Sequence, residues 1–318
     1  MMRNAMLDGM LGLTIGDALG DPVQFMSRKQ VQKRGLVTGM EEGGPFGTPA
    51  GTWTDDSSLA LATLDSLVRK PEVDLTDIAQ NYYEWLYNGK FTPFGHSFDI
   101  GRTCMQAIQR FGRTHSPLNC GITGEYANGN GALMRILPTS VFFALRVLDG
   151  RMGLDEAVRG VESIAAITHN HHRTNMICGL HFFLTKAILS EEGALARRMQ
   201  SGFDEGFAYY DQRDEIREEE IDCLRNEAEF AKTPEDAIRA GGYVVDAFKA
   251  ACWSLHGTDS FRDALLKAVN LGDDSDTVGA ITGGLAGLYY GHEGIPGEWL
   301  DKLQRREWIE EMCKKVQL

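Results

Sequence analysis

The sequence predicts an all-α protein, and three observations support that prediction. Apolar residues recur at helical spacing through most of the 318 residues, for instance at Leu59, Leu64 and Leu67. Alternating apolar and polar runs joined by hairpin turns do not occur. The apolar fraction is 43% and the charged fraction 24%, values that are ordinary for a globular domain with a sizeable core. We therefore expect one compact helical domain over residues 1–318.

The amphipathic stretches that predict helices follow one another along the chain. After the run that begins near Leu59, a second contains Ile78, Tyr82 and Trp85. Between Asp204 and Phe230 the chain is dense in charge, which is typical of a solvated helix face. Further helices are expected over Ile100–Phe111, Leu133–Leu148, Leu154–Thr168, Met176–Leu189, Ile216–Phe230, Ala237–Leu255 and Phe261–Asn270.

The charge and the cysteines limit the partners and the compartment. The net charge of −13 argues against broad electrostatic binding to nucleic acid or to acidic membranes. The six cysteines are scattered, which indicates reduced, packed thiols in a cytoplasmic protein. The segment MMRNAMLDGMLGLTIGDALG is interrupted by Asp8 and Asp17, so we expect no signal peptide. No stretch reaches the roughly 18 apolar residues that a membrane-spanning helix requires.

Two acidic clusters lie directly before apolar helical runs. Each combines carboxylates with a hydroxyl: Thr54-Asp55-Asp56 and Asp274-x-Asp276-Thr277. Either cluster alone is typical of helix N-capping. Together, however, four carboxylates exceed what capping needs, and they would repel one another without a cation. The all-oxygen donor set favours Mg²⁺, Mn²⁺ or Ca²⁺, and it suits two ions that bind a diol or a phosphate and activate water.

Three further segments carry groups that could contact a ligand. The turn Asn128-Gly129-Asn130-Gly131 can present backbone N–H groups to an anion, with Arg135 adding charge, although an ordinary loop and N-cap is the alternative. The spacing of His169, His171 and His172 does not place all three on one helix face, so we expect one of them to contact a ligand rather than all three to bind a metal. Asp99 is a cap or turn residue, or else a catalytic acid or base.

Six segments occur in order over nearly the whole chain: GDALGDPVQF, GTWTDDSSLAL, SFDIG, GNGALMR, THNHH and LGDDSDTVGAITGGLAGLYYG. Together they resemble the ADP-ribosylglycohydrolase family, which includes the dinitrogenase-reductase-activating glycohydrolase. The resemblance implies an orthogonal helical bundle of that type. It also implies an enzyme that removes ADP-ribose from a modified side chain at ribose C1″, with an ADP-ribosylated protein or conjugate as its partner. Arginine-linked and serine-linked ADP-ribose are the known substrate classes.

The resemblance also implies roles for particular residues. Two Mg²⁺ or Mn²⁺ ions would be bound by Thr54, Asp55, Asp56, Asp274, Asp276 and Thr277. The substrate would contact Gln24, Asn128, Gly129, Asn130, Gly131, Met134 and His169. The catalytic candidates are Asp55, Asp56, Asp99 and Asp276. The hypothesis is that the ions hold the 2″ and 3″ hydroxyls, that an activated water attacks C1″, and that Asp99 assists proton transfer.

Two positions depart from the family pattern. Gln24 stands where many relatives have a glutamate, and a carboxamide cannot act as a general base. The alternative function is therefore a binder of ADP-ribose or of a protein partner that has lost catalysis or has reduced activity. Asp273 stands where a second glycine is expected, and it either raises cation affinity or faces solvent.

Overall fold

The computed structural model describes residues 4–70, 72–213 and 219–316, which fold mainly into helices. These residues contain no β-strand and three isolated bridges, so the all-α prediction is confirmed. Short 3₁₀ helices cover Asp21–Val23, Leu133–Arg135, Glu219–Arg225, Glu235–Ala237 and His292–Gly294. The α-helices are α1 (Ala5–Gly20), α2 (Arg28–Arg34), α3 (Asp55–Arg69), α4 (Leu75–Asn88), α5 (Arg102–Thr114), α6 (Pro117–Cys120), α7 (Leu137–Leu148), α8 (Leu154–Ala166), α9 (His172–Ser190), α10 (Leu195–Tyr210), α11 (Glu227–Phe230), α12 (Val244–Leu255), α13 (Phe261–Val269), α14 (Ser275–Tyr290), α15 (Gly297–Leu300) and α16 (Arg306–Lys314).

Helix α1 is the centre of the fold, and all 16 of its residues are buried. A helix surrounded by protein is apolar on every side. This explains why the segment has the composition of a secretory leader while it carries Asp8 and Asp17. Within the ranges that the structure describes, none of the helices has the length and apolar character needed to cross a bilayer.

Helices α1 and α14 pack with their backbones in direct contact, because glycines lie in their interface. A Cβ atom on Gly16 would lie closer than 3.0 Å to the backbone of Gly279. A Cβ atom on Gly20 would meet the backbone of Ser275 and Asp276 in the same way. Since later residues of α1 meet earlier residues of α14, the helices run antiparallel. The end of α1 therefore lies beside the start of α14.

Several helix boundaries differ from those predicted. The helix expected over Ala237–Leu255 begins at Val244, because the residues before it pair with another loop: Asn130 N–H donates to Gly242 O at 3.0 Å. The helix expected from Leu133 divides after Arg135, and Pro138 lies in the first turn of α7, where its missing N–H costs no hydrogen bond. Similarly, Leu154–Thr168 ends at Ala166, and Met176–Leu189 forms part of a longer helix that begins at His172. Of the range 216–230, residues 216–218 lie outside the described residues, and the rest forms a 3₁₀ helix and the short α11.

The cysteines are free thiols, as predicted, and all but Cys223 are buried. Cys104 lies closest to the candidate site, where its Sγ is 3.9 Å from Gly131 O. Burial raises the pKa of the Cys104 thiol, which keeps it protonated and unreactive at neutral pH.

Candidate functional site

Five carboxylates line one cleft, and we call them the acidic wall. Asp55 and Asp56 are the first two residues of α3. Asp274 and Asp276 flank the first residue of α14. Asp99 lies in the loop before α5, and all five side chains line the same cleft. The two acidic clusters, far apart in sequence, therefore lie together because α1 holds the start of α14 close to the start of α3.

Helix capping does not account for these carboxylates. The N-terminus of α3 is capped by Asp17 of α1, which accepts hydrogen bonds from the N–H groups of Thr54 and Ser57 at 3.0 Å. Neither Thr54 nor Asp274 makes a side-chain capping bond to its own helix. The capping alternative is wrong for these two positions, and the carboxylates are available for another purpose.

Gln24 bridges two carboxylates of the acidic wall. Its Nε2 donates to Asp99 Oδ2 and to Asp276 Oδ2, both at 2.7 Å. Its Oε1 is buried and has no hydrogen-bond partner. Gln24 therefore supplies donors to two carboxylates without adding a charge, whereas a glutamate would add a further negative charge at the same place.

Burial is the main cause of the unusual protonation behaviour of the acidic wall. It raises the pKa of Asp55, Asp56 and Asp276 well above the usual range, and repulsion among neighbouring carboxylates adds to the effect. Burial also raises the pKa of Asp274 and Asp99. Among the described residues that line the cleft, the one basic side chain is that of the exposed Arg102. The wall needs a cation or bound protons to relieve its repulsion.

The donor set of the acidic wall fits a hard divalent cation, although the ligands are not yet gathered around one point. In the described part of the chain, no three His, Cys, Asp or Glu side chains form a group that could hold a metal ion as they stand. The amide of Gln24 occupies one oxygen of Asp99 and one of Asp276. One oxygen each of Asp56 and Asp276 is nevertheless buried without a partner. A buried acceptor without a partner is costly, and a hard cation would satisfy both oxygens.

The same cleft is also lined by the uncharged residues Gly129, Asn130, Gly131, Met134 and His169, which we call the neutral wall. Asn130 Nδ2 donates to Asp274 Oδ2 at 2.6 Å and so joins the two walls. A Cβ atom on Gly131 would lie 2.8 Å from the ring of His169, so this position requires glycine. Burial lowers the pKa of His169 to about 3, which keeps the imidazole neutral.

Arg135 supports the neutral wall from behind and does not add charge to the cleft, contrary to the sequence-based suggestion. It is fully buried. Its guanidinium donates to the carbonyl oxygen of Gly131, to the hydroxyl of Tyr82 at 2.9 Å and to Thr168 Oγ1 at 2.8 Å. Thr168 Oγ1 in turn lies 2.8 Å from His169 Nδ1. Arg135 thus fixes both the glycine loop and the histidine.

The cleft between the two walls has a volume of about 290 Å³. Thr54 does not reach it, because it is buried behind the acidic wall with its hydroxyl 3.0 Å from Asp17 Oδ1. Asn128 lies instead in a neighbouring depression, together with Tyr126 and His171. The predicted residues that do line the cleft are Gln24, Asp55, Asp56, Asp99, Gly129, Asn130, Gly131, Met134, His169, Asp274, Asp276 and Thr277.

The sequence-predicted site lacks Asp17 and five residues that line the cleft: Phe25, Gly101, Arg102, Thr103 and Cys104. Asp17 interrupts an apolar segment, and a carboxylate within such a segment is the signal that could have identified it. Phe25 lines the cleft although its side chain is 64% exposed. Asp273 faces solvent, and its φ of 55° explains why a glycine is expected there.

Comparison with known proteins shows the family of the chain. The family model of ADP-ribosylglycohydrolase matches residues 2–318. The chain belongs to the ADP-ribosylglycohydrolase family. Its similarity to ADP-ribosylarginine hydrolase Tri1 of Serratia proteamaculans is 32% identity over 96% of this chain and 77% of that protein. Its similarity to the ADP-ribosyl-[dinitrogen reductase] glycohydrolase of Rhodospirillum rubrum is 33% identity over 94% of this chain and 90% of that protein.

A solved structure, described as an ADP-ribosylglycohydrolase-related protein complex, superimposes on the chain with a TM-score of 0.77 and 30% identity. The match covers 98% of this chain and 96% of that one. The family, the helical fold type and the enzyme class, an ADP-ribosyl glycohydrolase, are therefore as the sequence predicted. The comparisons give no support to the alternative of a binder that has lost catalysis.

Proposed function

We propose that this chain hydrolyses the bond between ribose C1″ of ADP-ribose and a modified arginine side chain, with two divalent cations bound at the acidic wall. The observation that carries the proposal is the contrast within the cleft. Five carboxylates, two of them with unpartnered buried oxygens, share the cleft with neutral amide, backbone and imidazole groups. This arrangement suits a ligand whose ribose faces cations on one side and whose remainder lies against amide and backbone groups on the other.

Arginine is the favoured linkage for two reasons. The relatives at 32% and 33% identity carry names that refer to ADP-ribosylarginine and to ADP-ribosylated dinitrogen reductase. The cleft is also suited to a planar cation, because it combines carboxylates with the exposed ring of Phe25. A serine linkage offers no positive charge for these groups to attract.

The cations would be held by side chains of the acidic wall and its neighbours. Divalent ions bound there would supply Lewis-acid charge that orients the ribose hydroxyls and lowers the pKa of a water molecule. The hydroxyl of Thr54, which lies 3.0 Å from Asp17 Oδ1 and 3.3 Å from Asp56 Oδ2, would be one of the ligands. The complete proposed set is Thr54, Asp55, Asp56, Asp274, Asp276 and Thr277.

The remaining residues would bind and orient the substrate. Asn130 is held by Asp274, and His169 is held by Thr168, so both present fixed groups to the nucleotide. Because the pKa of His169 is lowered to about 3, the imidazole is neutral around pH 7. It therefore places no pH-dependent charge beside the pyrophosphate. Asp99 is held by Gln24 at the edge of the acidic wall, a position that supports a role in moving a proton between water and the leaving nitrogen.

The test is release of ADP-ribose from two peptides that differ in linkage, one modified on arginine and one on serine. Each is incubated with Mg²⁺, with Mn²⁺ and with EDTA. We expect release from the arginine peptide with either cation and none with EDTA. ADP-ribose that binds without any release under all three conditions would contradict the proposal.

A further inference from the structure

We infer that an exposed aromatic collar at the mouth of the cleft docks an apolar side chain next to the modified arginine of the target protein. The collar consists of the exposed Phe25, Phe46 and Phe94 and the half-buried Phe98. This inference rests on the proposed function, because it names the part of the substrate that lies outside the cleft.

Two loops contribute rings that contact one another: Phe46 lies between α2 and α3, and Phe94 and Phe98 lie between α4 and α5. The centroid of Phe98 lies 5.4 Å from that of Phe46 in an edge-to-face arrangement, and 6.1 Å from that of Phe94. Phe46 and Phe94 are nevertheless 42% and 40% exposed. Exposed aromatic rings that cluster are unusual on a protein surface, and they are enriched where proteins bind one another.

Phe25 is held at the mouth in an unfavourable backbone conformation. Its φ is 64°, a region that non-glycine residues rarely adopt. Its N–H donates to Asp273 O at 2.6 Å, and Asp273 N–H donates to Met26 O at 2.6 Å, so the surrounding backbone maintains the conformation. The outcome is a phenyl ring that is 64% exposed and lines the cleft. Strain retained at such a place points to function.

The collar is joined directly to the acidic wall. Phe25 follows Gln24 and Phe98 precedes Asp99, and the side chains of Gln24 and Asp99 are hydrogen-bonded at 2.7 Å. The loop of Phe46 is anchored beside them, because the hydroxyl of Thr48 donates to Asp21 Oδ2. The position of the rings relative to the reacting bond is therefore set by the same contacts that set the wall.

The occupant follows from where the substrate must leave the cleft. With the ribose at the acidic wall and the nucleotide along the neutral wall, the protein that bears the modification emerges beside Asp99 and Phe25. The phenyl rings there offer apolar area and carry no charge. They therefore suit leucine, isoleucine, methionine or an aromatic residue of the target, within a residue or two of the modified arginine.

The experiment compares three substrates: free ADP-ribosylarginine, a peptide with the modified arginine between leucines, and the same peptide with serines in place of the leucines. The variants are Phe46→Ala and Phe94→Ala, neither of which lines the cleft. The matched control is Leu148→Ala, an exposed apolar side chain at the end of α7. Sedimentation of each protein reports on its oligomeric state.

We expect the wild type to favour the leucine peptide over the serine peptide in kcat/KM by about tenfold. Each collar variant should lose most of that preference and keep its turnover of free ADP-ribosylarginine, whereas Leu148→Ala should behave as the wild type. Equal loss on all three substrates, or an unchanged preference, would overturn the inference. So would a self-association that the variants abolish while the preference persists. If the wild type hydrolysed none of the three, the proposed function itself would fail, and the collar inference with it.

Discussion

The two walls of the cleft have similar local backbone structure but differ in charge and in how their polar groups are satisfied. Each contains irregular backbone that leads into a helix or a helical turn. In the neutral wall the polar groups are held by the rest of the chain, since Arg135 holds Gly131 and Thr168, and Thr168 holds His169. In the acidic wall, Asp56 and Asp276 each keep a buried oxygen without a partner.

This difference shows which part of the protein depends on bound cations or protons. A wall whose hydrogen bonds are complete is preorganised before ligand binds. A wall with buried, repelling carboxylates is complete only with cations or protons.

The largest effect is expected from Asp276→Asn. Loss of this charge should lower kcat/KM on ADP-ribosylarginine at least about a thousandfold, roughly 4 kcal/mol, because the site would no longer hold the proposed cations. In EDTA the melting temperature should rise or stay the same, since one repelling charge is gone, and the stabilisation by Mn²⁺ should disappear. Asp273→Asn is the control, because Asp273 is exposed and next to the site. A wild-type response of Asp276→Asn to Mn²⁺ would contradict the assignment of the ligands.

The support of the acidic wall is tested by Gly16→Ala. The added Cβ would lie closer than 3.0 Å to the backbone of Gly279, so α1 and α14 would have to separate. We expect a loss of about 3 kcal/mol in the free energy of unfolding, measured by urea denaturation. Gly297→Ala is the control, since nothing lies within 4 Å of the new methyl group there. Equal stability of the two variants would show that close helix contact is not what supports the wall.

Gln24→Glu should increase the difference in charge between the two walls. It removes two hydrogen bonds to carboxylates and adds a negative charge beside them. We expect the melting temperature in EDTA to fall by about 2–5 °C and the rise on adding Mn²⁺ to exceed that of the wild type. Gln24→Met removes the donors without adding charge, so it should lower stability in EDTA without strengthening the response to Mn²⁺. If the Glu variant responded to Mn²⁺ no more strongly than the Met variant, the proposed role of charge at this position would be wrong.

The smallest effect concerns the pH dependence of the neutral wall. The pKa of His169 is lowered from 6.5 to about 3, so the unfolded chain binds this proton first as the pH falls below 6.5, and stability decreases. His169 thereby lowers the free energy of unfolding by about 1 kcal/mol between pH 7 and 5.5. His169→Asn should remove this decrease in a series of urea titrations, and His181→Asn should act similarly because burial lowers that pKa to about 3 as well. Unchanged pH profiles in both variants would contradict the prediction.

In EDTA, the acidic wall should change the stability of the protein with pH in the opposite direction. Its carboxylates have raised pKa values, so the folded protein binds protons before the unfolded chain does, and stability increases as the pH falls from neutrality toward the usual carboxylate range. Asp276→Asn should therefore reduce this increase, while His169→Asn should leave it in place.

Much of the chemistry was predictable because it resides in short segments. The helical spacing of Leu59, Leu64 and Leu67 indicates α3 without knowledge of any partner. The surplus of carboxylates over what capping requires, at Asp55 and Asp276, indicates a cation from composition alone. The order of the six segments was sufficient to predict the family, which the family model confirms.

By itself, then, the sequence determined the helical class, the family and the residue types at the cleft, since periodicity, charge and local motifs are properties of neighbouring residues. Only the tertiary structure decided which groups those residues meet. Asp17 caps α3 from another helix, Arg135 is buried behind the glycine loop, and Asn128 lies outside the cleft. Each outcome depends on contacts between residues distant in the chain, above all the close packing of α1 on α14. The energies of such contacts do not exist until the chain has folded, so no local pattern records them.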